Sequence, residues 1–485
     1  MTLVDKIFAH ARAAPNRPAL TYRGRTYGYH ALASLVLKAR TWFEDQAVDR
    51  DKVAILYIQD MAQAWVVGLA LRSLGVSTVS GRVPADLEQL GLGVLTVVMA
   101  GAESWPDVAE AAAREGFPLI RAPAGIFDET ALAPADTLQR PPGQAIGAHI
   151  LMTSATTGLY KKIVADPAYE AEEVRDRISQ FPELGPDTVV DMFGFGGWTT
   201  IGYFVPMIIW RLGGRLVLDD GPEFWRSLAA RDVTMAYVHP GLLAYLLALP
   251  PEIDLRNDAM TLVVIAGVLS AGPWLGARER LTTDVRTTLG STEAGCCCVT
   301  RIETRDDLTW HKLRGPDEVQ ILDEAHHPLP IGEVGQMRVR LNRAASYLGD
   351  PDATKTFFRD GYFYPGDLAV LRGDGRLALH GRVTDVINVL GSKYPSLPIE
   401  AALQEQLSAE AVHVFSHTGD EGEEVHVVVQ PTGPITAGDL KAALMAALPP
   451  IAHVRFHPVK SFPRNSMGKI DRKALKAQLG IGATR

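Results

Sequence analysis

Between Leu151 and Val164 the chain reads LMTSATTGLYKKIV. The run places the hydroxyls of Thr153, Ser154, Thr156 and Thr157 beside Gly158, Lys161 and Lys162. Small residues let backbone N–H groups approach a phosphate, hydroxyls donate to its oxygens, and a lysine offsets its charge. The run lacks the Gly-Lys-Ser/Thr ending of a Walker loop, and no helix opens on a lysine. Taken alone, these residues leave two readings open: a phosphate-gripping loop, or an ordinary solvated turn. The three cysteines, Cys296–Cys298, are consecutive. Adjacent thiols form neither a disulfide framework nor a CxxC metal pair, so a reducing, cytoplasmic setting is expected. With no paired histidine identifiable, they read as small pocket-wall or core residues, not nucleophiles.

The elements that must position such a loop follow from length and periodicity. A chain of 485 residues is too long for one ordinary core, so two or three packed units are expected. Its 47% hydrophobic and 21% charged residues are those of a globular protein, and the net charge of −8 is well intermixed. A clustered basic face for a nucleic-acid duplex is absent. Short apolar runs (Lys52–Ile58, Leu216–Leu218, Met235–Val238, Thr261–Ile265) alternate with helical patterns such as Met61–Leu74, which predicts α/β layering. The 19-residue uncharged stretch Met192–Trp210 approaches bilayer-spanning length, but it holds four glycines and Pro206. It is read as a buried strand end plus a core helix, with no membrane span expected. After about Arg301 short alternating segments between Gly/Asp turns predict a small antiparallel, barrel-like unit. Past Gly381 the pattern is strand, helix, strand, strand, helix, strand, an α+β cap.

Placed together, the loop and four later segments carry a resemblance. Thr153–Lys162 resembles the phosphate loop of the adenylate-forming (AMP-binding) superfamily, Ser-Gly-Thr-Thr-Gly-x-Pro-Lys, with Ala155 and Tyr160 at its first glycine and its proline. Ala266-Gly267-Val268 is similar to the family's Gly-Gly-Ala turn, and Gly290-Ser291-Thr292-Glu293 to its Gly-x-Thr-Glu. Tyr362–Leu368 is similar to Trp-x-x-Thr-Gly-Asp-Leu, followed by the hinge opening Gly381-Arg382. Pro463–Arg472 resembles the family's terminal lysine motif. Thr26-Tyr27 is similar to the start of an early Thr-Tyr-x-x-Leu, with His30 in the leucine's place.

The resemblance implies ATP-dependent activation of a small carboxylic acid to an acyl-adenylate. It implies a large N-terminal domain (1–381) of layered α/β subdomains with the ATP and acid pockets, a hinge (382–386), and a small mobile cap (387–485). Glu293 is then expected to hold Mg²⁺, a hard cation suited to carboxylate oxygen. Thr292 would donate to the α-phosphate, Asp367 would accept the ribose hydroxyls, and Arg382 would lie near ribose and phosphate. Thr153, Ser154, Thr156, Thr157, Gly158, Lys161, Gly267, Leu289, Gly290 and Ser291 complete the expected nucleotide site. Lys161 is preferred over Lys162 for the pyrophosphate side. Phe193, Trp198, Tyr203, Gly267, Gly290 and Cys296 are the acid-pocket candidates; being neutral and mixed in size, they suit an aryl or apolar acid.

Departures from the family pattern fall where it governs nucleotide detail and the second half-reaction. Leu289 stands where a tyrosine usually stacks on adenine, Pro365 replaces a threonine, and Thr384 followed by Asp385 replaces the hinge aspartate. The acid segment Asp191–Gly202 lacks the common histidine; Trp198 or Gly194 falls near its place. Gly391 and Lys393 lie where members border a CoA tunnel, so coenzyme A is the expected acceptor, with an amine or a carrier-protein thiol as alternatives. A non-catalytic member is the remaining rival, opposed by the presence of Thr292, Glu293, Asp367 and Lys469 together. Lys469 is the group expected to offset the charge that grows at the α-phosphorus as pyrophosphate leaves. Lys469→Ala is expected to slow adenylation by roughly a hundredfold or more. Full ATP–pyrophosphate exchange by that variant would remove the assignment.

Overall fold

The computed structural model describes the chain apart from residues 94, 101–104, 128–131, 135–136, 141–142, 154–158, 219–224, 230–231, 316–317, 342–345, 390–391, 420–421, 448–453, 465–469 and 482–485. It divides into two compact units. The first comprises Met1–Ile265, Leu269–Cys296 and Leu341–Phe358; the second comprises Ala266–Val268, Cys297–Arg340 and Arg359–Arg485. The packing division therefore differs from the expected 1–381 and 387–485, and the expected hinge 382–386 falls inside the second unit.

The first unit is the layered α/β part. One sheet runs in the order Leu119–Ala122, Leu95–Ala100, Val53–Tyr57, Thr78–Ser80, His149–Thr153 and Lys161–Ala165. Its pairs are parallel except the last, which is antiparallel. The other sheet runs from the edge strand Gly295–Arg301 through Asp284–Ser291, Thr261–Val264, Met235–Val238, Val189–Asp191 and Arg215–Val217 to the hairpin Pro18–Tyr22/Arg25–Gly28. Parallel strands covered on both faces read as unbroken apolar runs, and Leu95–Ala100 and Met235–Val238 are buried at every position. The charge-free stretch 192–210 resolves into a strand exit and the buried helix Thr200–Leu212. Thr199 caps that helix, and Gly213 ends it. Among the described residues no helix is long and apolar enough to cross a membrane.

A charged cluster lies within this unit's core. Glu170, on helix Pro167–Gln180, has no exposed surface and accepts from Arg72 and from the Tyr203 hydroxyl, both at 2.5 Å. Arg72, on helix Met61–Ser73, also donates to the Gly147 carbonyl at 3.0 Å, and Arg211 lies 3.5 Å from the other Glu170 oxygen. Tyr203 stacks on His149 at 4.2 Å; burial, with Arg72 nearby, pushes that imidazole down to about 3, so it stays neutral. Three helices and the start of the phosphate-side strand are thereby pinned to one carboxylate.

In the second unit an antiparallel sheet runs His311–Lys312, Arg376–Arg382, Asp367–Leu371, Val334–Arg340, Tyr362–Phe363, with Val319–Leu322 also paired to Val334–Arg340. The strand Arg376–Arg382 ends with Arg382 paired opposite Asp367. Beyond it the expected first strand of the cap is a hairpin, Val386–Val389 with Ser392–Pro395. Helix Ser396–Gln406, strands Ala409–Gly419 and Gly422–Pro431, helix Ala437–Ala447 and strand Val454–Pro458 follow. A final helix, Arg472–Gln478, was not anticipated; its Leu475 packs with Val428, Val459 and Phe462.

Removing one partner of a buried ion pair leaves an uncompensated charge, at about 3–5 kcal/mol. Glu170→Ala is expected to lose that much stability in urea unfolding. A loss below about 1 kcal/mol, the range of exposed pairs, would show that the cluster does not hold the core.

Candidate functional site

The phosphate-loop candidates hang between two strands. Thr153 ends strand His149–Thr153 and pairs with Lys161 at the start of the next strand, so the two ends of the loop are held in register. Ser154, Thr156, Thr157 and Gly158 lie outside the described residues. Tyr160, at the family's proline position, is bracketed: its N–H donates to the Gln89 carbonyl at 2.9 Å, and its hydroxyl donates to Asp86 at 2.9 Å and accepts from Arg82 at 2.8 Å. Hydrogen bonds thus do what a proline's fixed φ would do by stiffness. Strand alternation sends the two lysines to opposite faces. Lys162 is buried, donates to the Tyr160 carbonyl at 3.1 Å, and is lowered in pKa by that burial. Lys161 is the more accessible, with its ammonium 3.3 Å from the Phe357 ring centre and 5.3 Å from that of Tyr347.

Gly290, Ser291, Thr292 and Glu293 form the turn out of strand Asp284–Ser291. A side chain at Gly290 would place its Cβ 2.4 Å from the Gly295 carbonyl and 2.7 Å from Cys296 Cα, so only glycine lets the chain fold back this closely. Ser291 Oγ accepts from Ala294 N–H at 3.1 Å, and Leu289 is half-buried. Thr292 is held at two atoms: its hydroxyl lies 2.6 Å from that of Thr200, and its carbonyl accepts from Tyr169 Oη at 2.6 Å. Buried Glu293 accepts from Tyr347 Oη at 2.8 Å. Among the described residues no group of three or more His, Cys, Asp or Glu forms a cage for a metal ion. A single anchored carboxylate beside a hydroxyl fits Mg²⁺, which keeps several waters and takes its other ligands from phosphates. Tyr169, Thr200 and Tyr347 carry no signal in sequence; their partners lie 123, 92 and 54 positions away.

Of the acid-pocket candidates, Phe193 is partly exposed and its N–H donates to Asp191 at 3.2 Å. The Trp198 ring lies against Gly196, where a Cβ would meet it at 2.2 Å. Cys296 is 8% exposed, and its carbonyl accepts from Gln180 at 2.8 Å. Tyr203 is a correction. It is 3% exposed, its hydroxyl is committed to Arg72 and Glu170, and the cavity it lines with Trp65, His149 and Gly197 is only about 30 Å³. That is room for a water, not for a carboxylic acid. The apolar and aromatic character that suggested a pocket wall belongs instead to packing around the charged cluster.

In the second unit Ala266, at the first glycine of the family's turn, takes φ +62°, and Gly267 after it is exposed. A left-handed alanine costs about 1–2 kcal/mol. Asp367 and Arg382 face each other across paired strands, with Arg382 Nε 2.8 Å from Asp367 Oδ1. Arg382 also donates to the Pro365 carbonyl at 2.6 Å, over Gly366 at φ +79°. Thr384 donates to Asp385 at 3.2 Å, and Asp385 pairs with Arg472 at the start of the last helix. Lys393 stands opposite Asn388 in the hairpin; Gly391 lies outside the described residues. Lys469 also lies outside them. Directly after it, Ile470 bridges Arg464, and Asp471 N–H donates to the Pro463 carbonyl at 2.8 Å.

Comparison with known proteins bears on the family and the fold. Residues 7–346 match the family described as AMP-binding enzyme. Triostin synthetase I of Streptomyces triostinicus is 28% identical over 353 residues, 69% of this chain and 65% of that protein. The 2-hydroxy-7-methoxy-5-methyl-1-naphthoate–CoA ligase of Streptomyces carzinostaticus is 27% identical over 383 residues, 73% of this chain and 66% of that protein. The chain thus spans about two thirds of the length of these relatives. Among solved structures, the amide bond synthetase McbA from Marinactinospora thermotolerans superposes with a TM-score of 0.81 at 20% identity, covering 98% of this chain and 99% of that one. The o-succinylbenzoate CoA synthetase of Bacillus subtilis, bound to its acyl-adenylate, gives 0.79 at 18% identity, covering 97% and 98%. These likenesses establish a common fold with a large N-terminal and a smaller C-terminal part. With the family match covering well over half its length, the chain belongs to the AMP-binding enzymes, the adenylate-forming superfamily.

Proposed function

We propose that this protein uses ATP to convert a neutral carboxylic acid to its acyl-adenylate, releasing pyrophosphate, and then passes the acyl group to a thiol, with coenzyme A as acceptor. The observation that carries the first step is the turn at Thr292–Glu293. A buried carboxylate and a hydroxyl are each fixed by a partner from another part of the chain. Catalysis by positioning and charge needs such fixed groups.

In this reading the acid's carboxylate oxygen attacks the α-phosphorus in line, and the bond to the β-phosphate oxygen breaks. Bound Mg²⁺ would supply charge neutralisation at the phosphates, held by Glu293. Thr292 donates to the α-phosphate, and Lys161 serves the pyrophosphate side. Asp367, oriented by Arg382, accepts from the ribose, and Lys469 offsets the negative charge on the reacting oxygens. Phe193, Trp198, Gly290 and Cys296 suit a neutral aryl or apolar acid. For the second step, the thiol sulfur attacks the acyl carbonyl and AMP departs. The named CoA ligase relative supports this acceptor, as do Gly391 and Lys393 at the family's tunnel position.

A second reading has an amine as acceptor, making an amide. It is favoured by Thr384 at the hinge position, where the family's pivot aspartate is lost while Asp385 is tied to Arg472. ATP–pyrophosphate exchange over a panel of aryl and aliphatic acids, with products identified by mass, tests both. Acid-dependent exchange with a CoA thioester is the expected result. Exchange and adenylate without thioester, but amide on adding an amine, would favour the second reading. No acid-dependent exchange across the panel would overturn both.

A further inference from the structure

We infer that Tyr347 is the positioning residue of the adenylation centre, holding the metal-binding carboxylate of Glu293 and the ammonium of Lys161 in fixed relation through one ring. The inference rests on the adenylation reading for the roles of those two groups. It rests on geometry for the link between them.

Tyr347 reaches the first unit by an unusual route. The chain leaves the second unit at Leu341 and rejoins it at Arg359, and the excursion between them packs with the first unit. From Tyr347 onward the excursion is anchored at several points. Leu348 N–H donates to the Lys162 carbonyl at 2.8 Å, Tyr347 N–H donates to Thr354 Oγ1 at 2.9 Å, and Asp350 caps the helix Pro351–Phe357. The ring is 4% exposed and is gripped edge-on by Phe358 at 4.9 Å and Phe357 at 6.1 Å.

From this seat the residue acts at two atoms. Its hydroxyl donates to Glu293 Oε1 at 2.8 Å. A phenol has one proton to give and a carboxylate oxygen can only accept, so the tyrosine is the donor. The bond engages one oxygen of Glu293, and among the described residues no donor reaches Oε2, which is left for a hard cation. The ring face, with that of Phe357, receives the Lys161 ammonium at 5.3 and 3.3 Å, an attraction between a cation and the negative face of an aromatic ring. The phosphate-side cation and the metal carboxylate thus share one support. Partners of this kind, behind the atoms that touch a metal, typically govern metal affinity by about 10–100-fold.

The test uses the full chain and Tyr347→Phe, which keeps the ring and deletes the hydroxyl. Mn²⁺ retained by the enzyme–ATP complex beyond that held by ATP alone is titrated by electron paramagnetic resonance, and ATP–pyrophosphate exchange is followed against Mg²⁺. The expected result is at least ~10-fold weaker Mn²⁺ retention. The Mg²⁺ needed for half-maximal exchange shifts by the same factor, while KM for the acid is unchanged. Tyr347→Leu, which removes the ring as well, is expected to raise KM for ATP in addition. Wild-type Mn²⁺ retention by folded Tyr347→Phe overturns the inference. So does a fall in turnover at every Mg²⁺ concentration with no shift in the midpoint. The Mn²⁺ titration needs no turnover, so it decides the inference even if no acid supports exchange. In that case the adenylation reading alone would fail.

Discussion

The first unit is organised around one carboxylate that water cannot reach. Burying Glu170 removes several kcal/mol of hydration per ion, and only close cationic and hydroxyl partners offset that loss. Arg72, Arg211 and Tyr203 provide them from two other helices, so a shift of any helix would strand a charge. Pairing of this kind adds little net stability, but it discriminates sharply between one packing and its near neighbours. The consequence appears at the reaction turn. Tyr169 precedes Glu170 on the same helix, and Thr200 lies one turn before Tyr203 on the other; these two residues grip Thr292 at its carbonyl and its hydroxyl. The buried cluster thereby sets the aim of groups that the chemistry uses.

Much of this was legible in sequence because the legible parts are local. The strand ending at Thr153 and the lysine pair that returns after it are both marked by local composition. The layered sheets followed from apolar runs alternating with helical periodicity, and the antiparallel part from its short alternating segments. What could not be read was tertiary choice. Tyr203 has the size and polarity of a pocket wall, and nothing in the neighbouring residues says that its hydroxyl goes to Glu170. Tyr347 sits in a stretch whose local pattern speaks only of a capped helix after Asp350. The extra strand of the cap hairpin and the last helix were missed for a related reason: each is short, and its apolar residues matter only once a sheet face lies beneath them.

The departures from the family pattern also acquire physical content. Tyr160 replaces a rigid ring by a three-point hydrogen-bond bracket, which fixes the same stretch of chain through partners on Arg82, Asp86 and Gln89. Ala266 keeps a left-handed backbone where glycine would adopt it freely, so the turn holds a small strain instead of losing its shape. Asp385 engages Arg472, linking the stretch after Arg382 to the helix that follows the terminal lysine motif.

The passage of Leu341–Phe358 into the first unit bears on the order in which the protein can be assembled on a ribosome. When Cys296 has been synthesised, Thr292 and Glu293 are already in the chain, but the phenol that seats Glu293 has not yet been made. At about 5–20 residues per second, several seconds pass before Phe358 is added. Until then the first unit lacks the segment that carries Tyr347, Phe357 and Phe358. Completion of the first unit therefore waits on chain threaded through the second, which couples the two in biogenesis.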